Sequence, residues 1–191
     1  MSASAGRVIY NTATSLDGYL ADAENSLSWL FVVVPDEPTS SRHARFMAGV
    51  GVMVEGSTTY EWVLSEADLL AQPHRWQEFY GQRPTFVFTT RELPRVPGAD
   101  IRFVRGPVRE ALPAIRAAAA GQNVWVVGGG DLAGQFLDVG ALDEIGVSLA
   151  PVTLGSGAPL LPRRLESDRL RLVSATVDGQ FLHAVYAVSA G

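Results

Sequence analysis

The chain has 191 residues, 47% of them hydrophobic and 18% charged, with 20 acidic side chains against 15 basic ones and a formal net charge of −5. Such a length and hydrophobic content suit one domain over residues 1–191 and exclude an intrinsically disordered chain, which needs low hydrophobicity and high net charge. Every basic residue is Arg and there is no Cys, so Schiff-base and P-loop lysines, disulfides, thiolate metal sites and Cys nucleophiles are excluded; an acidic chain without a basic cluster is not expected to bind nucleic acid.

Met1 to Gly6 is small and polar and leads into no apolar h-region, so no signal peptide is expected and the location is read as cytoplasmic. No apolar run approaches the ~20 residues of a membrane span. Arg7 to Thr14 is rich in β-branched and aromatic residues and predicts a first strand, broken at Leu16-Asp17-Gly18-Tyr19 by an Asp-Gly turn. Residues 38–48 read as a helix with Thr39 or Ser40 as N-cap. Val50 to Val54 is almost wholly apolar, as in a strand covered on both faces, and runs into Gly56-Ser57-Thr58-Thr59-Tyr60, where a helix begins. Residues 65–82 carry no decisive period. Thr85 to Thr89 and Ile101 to Val104 read as strands. Pro107 to Ala120 reads as a helix with Val108, Ala111, Leu112, Ile115 and Ala119 on one face and Gly121 as its stop. Asn123 to Val127 is a buried strand that enters Gly128-Gly129-Gly130 and a helix from Asp131 to Leu137. Glu144 to Leu149 is a further strand. Leu170 to Val177 and Gln180 to Val188 alternate around Asp178-Gly179, a hairpin with an expected type I′ turn. Strands separated first by helices and then joined by a hairpin predict a mixed α/β sheet.

Two strand-to-helix junctions carry chemistry. At Val127-Gly128-Gly129-Gly130-Asp131-Leu132 the glycines permit close backbone approach, and the helix behind them offers free N–H groups to a phosphate. Glu55-Gly56-Ser57-Thr58-Thr59 repeats the design with hydroxyls, which either bind an anion or cap the helix. Thr89-Thr90-Arg91 and Arg105 end neighbouring strands and suit a ribose phosphate, the alternative being solvated surface charge. Gly128-x-Gly130-x-x-Ala133 matches a dinucleotide fingerprint, but it stands late in the chain and is followed by a hairpin, unlike a simple Rossmann unit. His43, His74 and His183 are scattered, no His/Asp/Glu set has metal-ligand spacing, and no Ser sits in a G-x-S-x-G elbow.

The order of these motifs resembles the dihydrofolate reductase-like superfamily, and most closely the reductases similar to the C-terminal domain of the riboflavin deaminase-reductase. The likeness is carried by Ser15-Leu16-Asp17-Gly18, Gly56-x-x-Thr59-Tyr60, Thr85 to Arg91, Val127 to Gly130 and Pro151 to Leu160, in family order. It implies a three-layer α/β/α dihydrofolate reductase-like fold, a mixed, mostly parallel central sheet closed by a C-terminal antiparallel hairpin. It implies NADPH across the strand ends. Gly56, Ser57, Thr58 and Thr59 would face the pyrophosphate from one helix and Gly128, Gly129, Gly130, Asp131 and Leu132 from the other, with a cis peptide between the first two glycines. Thr89, Thr90, Arg91 and Arg105 would hold the 2′-phosphate, and Ala13 and Thr14 would flank the nicotinamide. Asp17, Trp29 and Asp36 are the expected catalytic-side residues, with a core role as the alternative for Trp29, an Asx turn for Asp17 and an ordinary loop acid for Asp36.

The expected function is 5-amino-6-(5-phosphoribosylamino)uracil reductase-like hydride transfer to a pyrimidine- or pteridine-like small molecule by a homodimer paired through the C-terminal strands. The alternatives are a dihydrofolate reductase-like enzyme on another substrate and a non-catalytic NADP- or ligand-binding module. The chain departs from that pattern in three places. The helix over 38–48 has no pterin-binding acid, although Asp36 and Glu37 precede it. Asn11 stands at the usual Lys, and no phosphate-binding Arg is evident in Leu64 to Gln72.

Overall fold

The computed structural model describes residues 6–36 and 39–189, and the side chains of Thr39 and Ser40 lie outside it, as do Glu37 and the expected N-cap. Ten strands and six α-helices follow in chain order: β1 Val8–Thr14, β2 Tyr19–Ala21, α1 Ser28–Phe31, α2 Thr39–Met47, β3 Val50–Gly56, α3 Ser57–Glu66, α4 His74–Tyr80, β4 Thr85–Phe88, β5 Ile101–Val104, α5 Val108–Ala119, β6 Asn123–Gly128, α6 Gly130–Asp138, β7 Glu144–Leu149, β8 Ala158–Pro159, β9 Leu170–Asp178 and β10 Phe181–Val188. Eight strands form one sheet in the order β5-β4-β3-β6-β1-β7-β10-β9. The first six are parallel, while β10 pairs antiparallel with both β7 and β9. The mixed, mostly parallel sheet with a closing hairpin is the architecture the motif order implies.

Strand alternation splits the core between two faces. Val8, Tyr10, Val52, Val54, Val124 and Val126 point to one side and pack under α5 and α6, with Ile115 and Phe136 at the centre. Met53, Val87, Ile101 and Trp125 point to the other side, under Met47 of α2, Tyr60, Val63 and Leu64 of α3 and Trp76 of α4. Full burial of an Ile or Phe side chain stabilises by roughly 1.5–3 kcal/mol, so each helical layer is held mainly by its apolar stripe. Residues 65–82, without a clear period in sequence, hold the end of α3 and all of α4. Their helical order rests on Leu64, Leu69 and Trp76 fitting this second core. Among the described residues no helix is long and apolar enough to cross a membrane.

Two local expectations change. Asp178 pairs with Phe181, so the hairpin turn is Gly179-Gln180. Only Gly179 has a positive φ, +56°, whereas type I′ needs positive φ at both central positions. The end of α5 takes two left-handed residues rather than one, Ala120 at φ 51° as the cap and Gly121 at φ 85° directly after it.

Close backbone approach explains one glycine of the triplet directly. A Cβ on Gly130 would lie 2.3 Å from the Pro159 carbonyl oxygen and 2.4 Å from that of Leu160. The start of α6 is therefore seated on the 158–160 segment, which the Tyr10 hydroxyl also grips by donating to Leu160 O at 2.8 Å.

Candidate functional site

β3 and β6 are neighbours in the sheet, yet the helices that follow them leave on opposite faces: α3 packs with the Met53 side and α6 with the Val126 side. A crevice must open between two such strand ends, where parallel α/β sheets place their ligands. Gly56 ends β3 and Gly128 ends β6, and a Cβ on Gly56 would be 3.8 Å from both Gly128 O and Gly129 N. Gly128 and Gly129 are joined by a cis peptide. A Cβ on Gly129 would meet nothing within 4 Å, so the backbone there borders open space.

Both helices that start at this crevice have a glycine N-cap, Gly56 for α3 and Gly129 for α6, and neither has a side-chain capping bond. Their first N–H groups are therefore left for a ligand or water, at the positive ends of two helix dipoles. The cleft around them measures about 650 Å³. Ser57, Thr58, Thr59, Gly128, Gly129, Gly130, Asp131 and Leu132 line it, as does Ala13 of β1. On the sheet face that carries α3 and α4 the lining residues are Trp62, Tyr80 and Trp125, together with Asn11 of β1 and Leu27 and Leu30 of the α1 segment, and we call this set the side wing. The Trp125 indole N–H donates to Asn11 O at 3.0 Å, and Phe31 stacks on Trp62 at 6.2 Å between ring centroids, linking α1 to α3.

Beyond the end of β4, Thr89, Arg91, Arg95 and Arg105, together with the acid Glu92, border a second depression. Phe88 borders the main cleft and Thr89, the next residue, borders this one. Arg91 forms a two-pronged ion pair with Glu61 at 3.0 and 2.5 Å, and Arg95 lies over the Phe103 ring. Arg95 was not singled out in the sequence, because nothing about its spacing separates it from a surface arginine. Thr90 is exposed and borders neither space.

Four of the expected residues do not line the cleft. Thr14 is buried and commits its hydroxyl to the carbonyls of Ser15 and Tyr19, both at 3.2 Å, rather than to the cleft. Asp17 lies outside the cleft and works as a tie. Its carboxylate accepts from Ser15 Oγ at 2.6 Å and Gly155 N at 2.7 Å, with Leu154 N at 3.1 Å, and these bonds, the Ser15 hydroxyl first, hold its pKa below the ordinary value. Trp29 packs with Ala150 and Phe181 in a small core cluster behind the wall that Leu27 and Leu30 present. Asp36 is exposed beside the β9–β10 turn, its N–H donating to Asp178 Oδ1 at 2.8 Å.

The fold also brings Ser148, His183 and Asp178 together, residues that sequence spacing did not connect. Ser148 Oγ is 2.7 Å from His183 Nδ1, but the Arg42 guanidinium, paired with Asp178, sits 2.5 Å from His183 Nε2. A guanidinium only donates, so the Nε2 lone pair is occupied and the ring is not a base. Burial and then Arg42 hold the His183 pKa down.

Glu55 is the charged-type residue the sequence hid, since it continues an apolar strand. It is 1% exposed, opposite Val87 and Gly128 on the sheet face that also carries Trp125. Its Oε1 has no hydrogen-bond partner. Desolvation pushes its pKa up to about 8 and, with Glu55 nearby, raises those of Tyr60 and Tyr80 as well.

The model of the RibD C-terminal domain family matches residues 70–184. The Bacillus subtilis (strain 168) protein YwjB is 27% identical over 183 residues, 94% of this chain and 97% of YwjB. Among solved structures, a Shewanella sp. PV-4 protein ascribed to riboflavin biosynthesis superposes with a TM-score of 0.76 at 24% identity, covering 95% of this chain and 98% of that one. An Enterococcus faecalis dihydrofolate reductase complexed with NADP(H) gives 0.60 at 15% identity, over 97% and 98%; these likenesses place the fold in the dihydrofolate reductase-like class.

The buried carboxyl has a measurable consequence. With its pKa raised in the folded state, Glu55 keeps a proton that the unfolded chain has already released. Its contribution to stability is complete below the ordinary value of 4.5 and is lost as pH rises toward about 8. Glu55→Gln is expected to lose less thermal stability than the parent as pH rises from 4.5 to about 8; melting curves that fall in parallel over that range would contradict the assignment.

Proposed function

The chain belongs to the RibD C-terminal domain family, and from that premise we propose that it is an NADPH-dependent reductase acting on a pyrimidine- or pteridine-like small molecule. The observation that carries the proposal is the pair of uncapped helix N-termini, α3 and α6, meeting at one glycine-lined crevice. Two sets of free N–H groups suit a pyrophosphate, and the open space beside Gly129 leaves room for it.

Ser57, Thr58 and Thr59 would bind the pyrophosphate from α3, and Gly130 to Leu132 from α6. Thr89, Arg91 and Arg105, joined by Arg95, would hold the adenosine 2′-phosphate. Ala13, small and among the lining residues, leaves space for the nicotinamide beside Asn11 and Trp125. NADPH, when bound, supplies the hydride. The chain's part is to orient the two reactants, with Trp62, Tyr80 and Leu30 excluding water from the side wing. Asp131 is kept ionised by the Gln135 amide and by Arg163 at 3.0 Å, which turns its charge toward the protein rather than toward an incoming phosphate.

Titration with NADPH and NADH tests the cofactor. Arg91→Glu is expected to weaken NADPH by about tenfold or more while changing NADH by less than about threefold. An absence of NADPH binding at about 1 mM, or equal loss for both cofactors, would contradict it.

We also propose that a second copy pairs along the C-terminal hairpin. β9 is an edge strand of the sheet, and Leu172, Val173 and Val177 stand exposed on it, Val177 at 77%, a combination that an unpaired edge does not ordinarily leave open. Light scattering is expected to give a dimer that Val177→Asp weakens; a monomeric parent at micromolar concentration would contradict it.

A further inference from the structure

The side wing of the cleft is chemically one-sided. Among the described residues lining the whole cleft there is no Arg and no His, and the sequence has no Lys. Asp131 is the one lining side chain that is charged at neutral pH, and it stands by α6, among the residues that start that helix. In the wing itself Leu27, Leu30, Trp62 and Trp125 present apolar surface, while Asn11 and Tyr80 supply neutral polar groups.

The arginines nearest this wall are committed elsewhere. Arg83 donates to the carbonyls of Val50 at 2.7 Å, Met47 at 2.7 Å and Tyr80 at 3.0 Å, closing the back of the wall. Arg163 is shared between Asp131 and Asp138. Arg42 pairs with Asp178, and its surface depression, which Arg45 also borders, carries the acid Asp36. A phosphate entering the wing would give up water and find neither Arg nor Lys among the lining residues, only the His43 ring packed against Trp125 and Tyr80 beside them. Such a transfer costs several kcal/mol for an unpaired ion. An uncharged aromatic ring would instead stack against Trp62 and Trp125 and bond to the Asn11 amide.

We infer that the side wing takes a flat, uncharged heterocycle that carries no phosphate, with Trp62 and Trp125 as its apolar walls and Asn11 as its polar anchor. The inference rests on the reductase reading for the identity of the cleft, and it goes beyond it by separating this chain's substrate class from a phosphoribosyl one.

A matched pair tests it: 5-amino-6-(5-phosphoribosylamino)uracil and the same molecule with its phosphate removed. Dissociation constants are measured by calorimetry on the full chain, alone and saturated with NADP+, with NADPH affinity determined on the same preparation. The dephosphorylated compound is expected to bind about tenfold or more tighter than the phosphorylated one, and Asn11→Leu is expected to weaken the tighter ligand. Equal affinities, a preference for the phosphorylated compound, or no binding of either below about 1 mM would overturn the inference. Loss of NADPH binding alone would instead strike the reductase reading, because the ratio between the two uracils remains measurable on the chain without cofactor.

Discussion

The site depends on one topological constraint: β3 and β6 lie side by side, and the chain leaves them toward opposite faces of the sheet. Adjacent parallel strands whose helices stay on one face close over their own ends. Here they part, and the gap is bordered by backbone rather than side chain, because Gly56, Gly128 and Gly129 meet within 3.8 Å of where a Cβ would stand. Two helix N-termini with no side-chain cap face that gap. A side-chain N-cap would ordinarily satisfy one of those N–H groups, and the N-cap residues here, Gly56 and Gly129, have no side chain to do so. These donors are the physical basis of the proposed pyrophosphate contact.

Around this crevice the supporting contacts are arranged to hold backbone. Asp17 ties the turn after β1 to Leu154 and Gly155, and the segment that follows supplies the carbonyls of Pro159 and Leu160 against which Gly130 sits. Tyr10 fixes the same segment from the sheet. Asp17 thus acts at a distance from the cleft, by keeping the start of α6 in place. The wing beside the crevice is held differently, through apolar contact between α1 and α3 at Phe31 and Trp62. Helix N-termini border one part of the cleft, and indole and leucine surface borders the other.

Much of the fold was legible because its signals are local. Ile101–Val104 and Glu144–Leu149 have the bounds their apolar runs predict, and the glycine triplet after Asn123 marks a strand-to-helix junction that the structure contains. The helix over 74–80 was not legible, since its order comes from Trp76 docking into a core assembled by distant strands. The same limit applies to side chains. Asn11, Leu27, Leu30, Trp62 and Tyr80 reach one wing from four separate elements and the loop before α1. Asp36 and Trp29 resembled site residues by position, yet a hairpin turn and a small core cluster claim them. Glu55 stood in the sequence only as the residue before Gly56, and only the pairing with β4 and β6 reveals its burial with Oε1 lacking a hydrogen-bond partner among the described residues.

Amide hydrogen exchange with and without NADP+ tests the central claim most directly, since it reports on the N–H groups themselves. The account predicts that the amides of Ser57 to Thr59 and of Gly130 to Leu132 both become protected on binding, because the two helix N-termini share one pyrophosphate. Protection of one set alone, or of neither while the nucleotide is bound, would contradict it and move the anion site away from the crevice between β3 and β6.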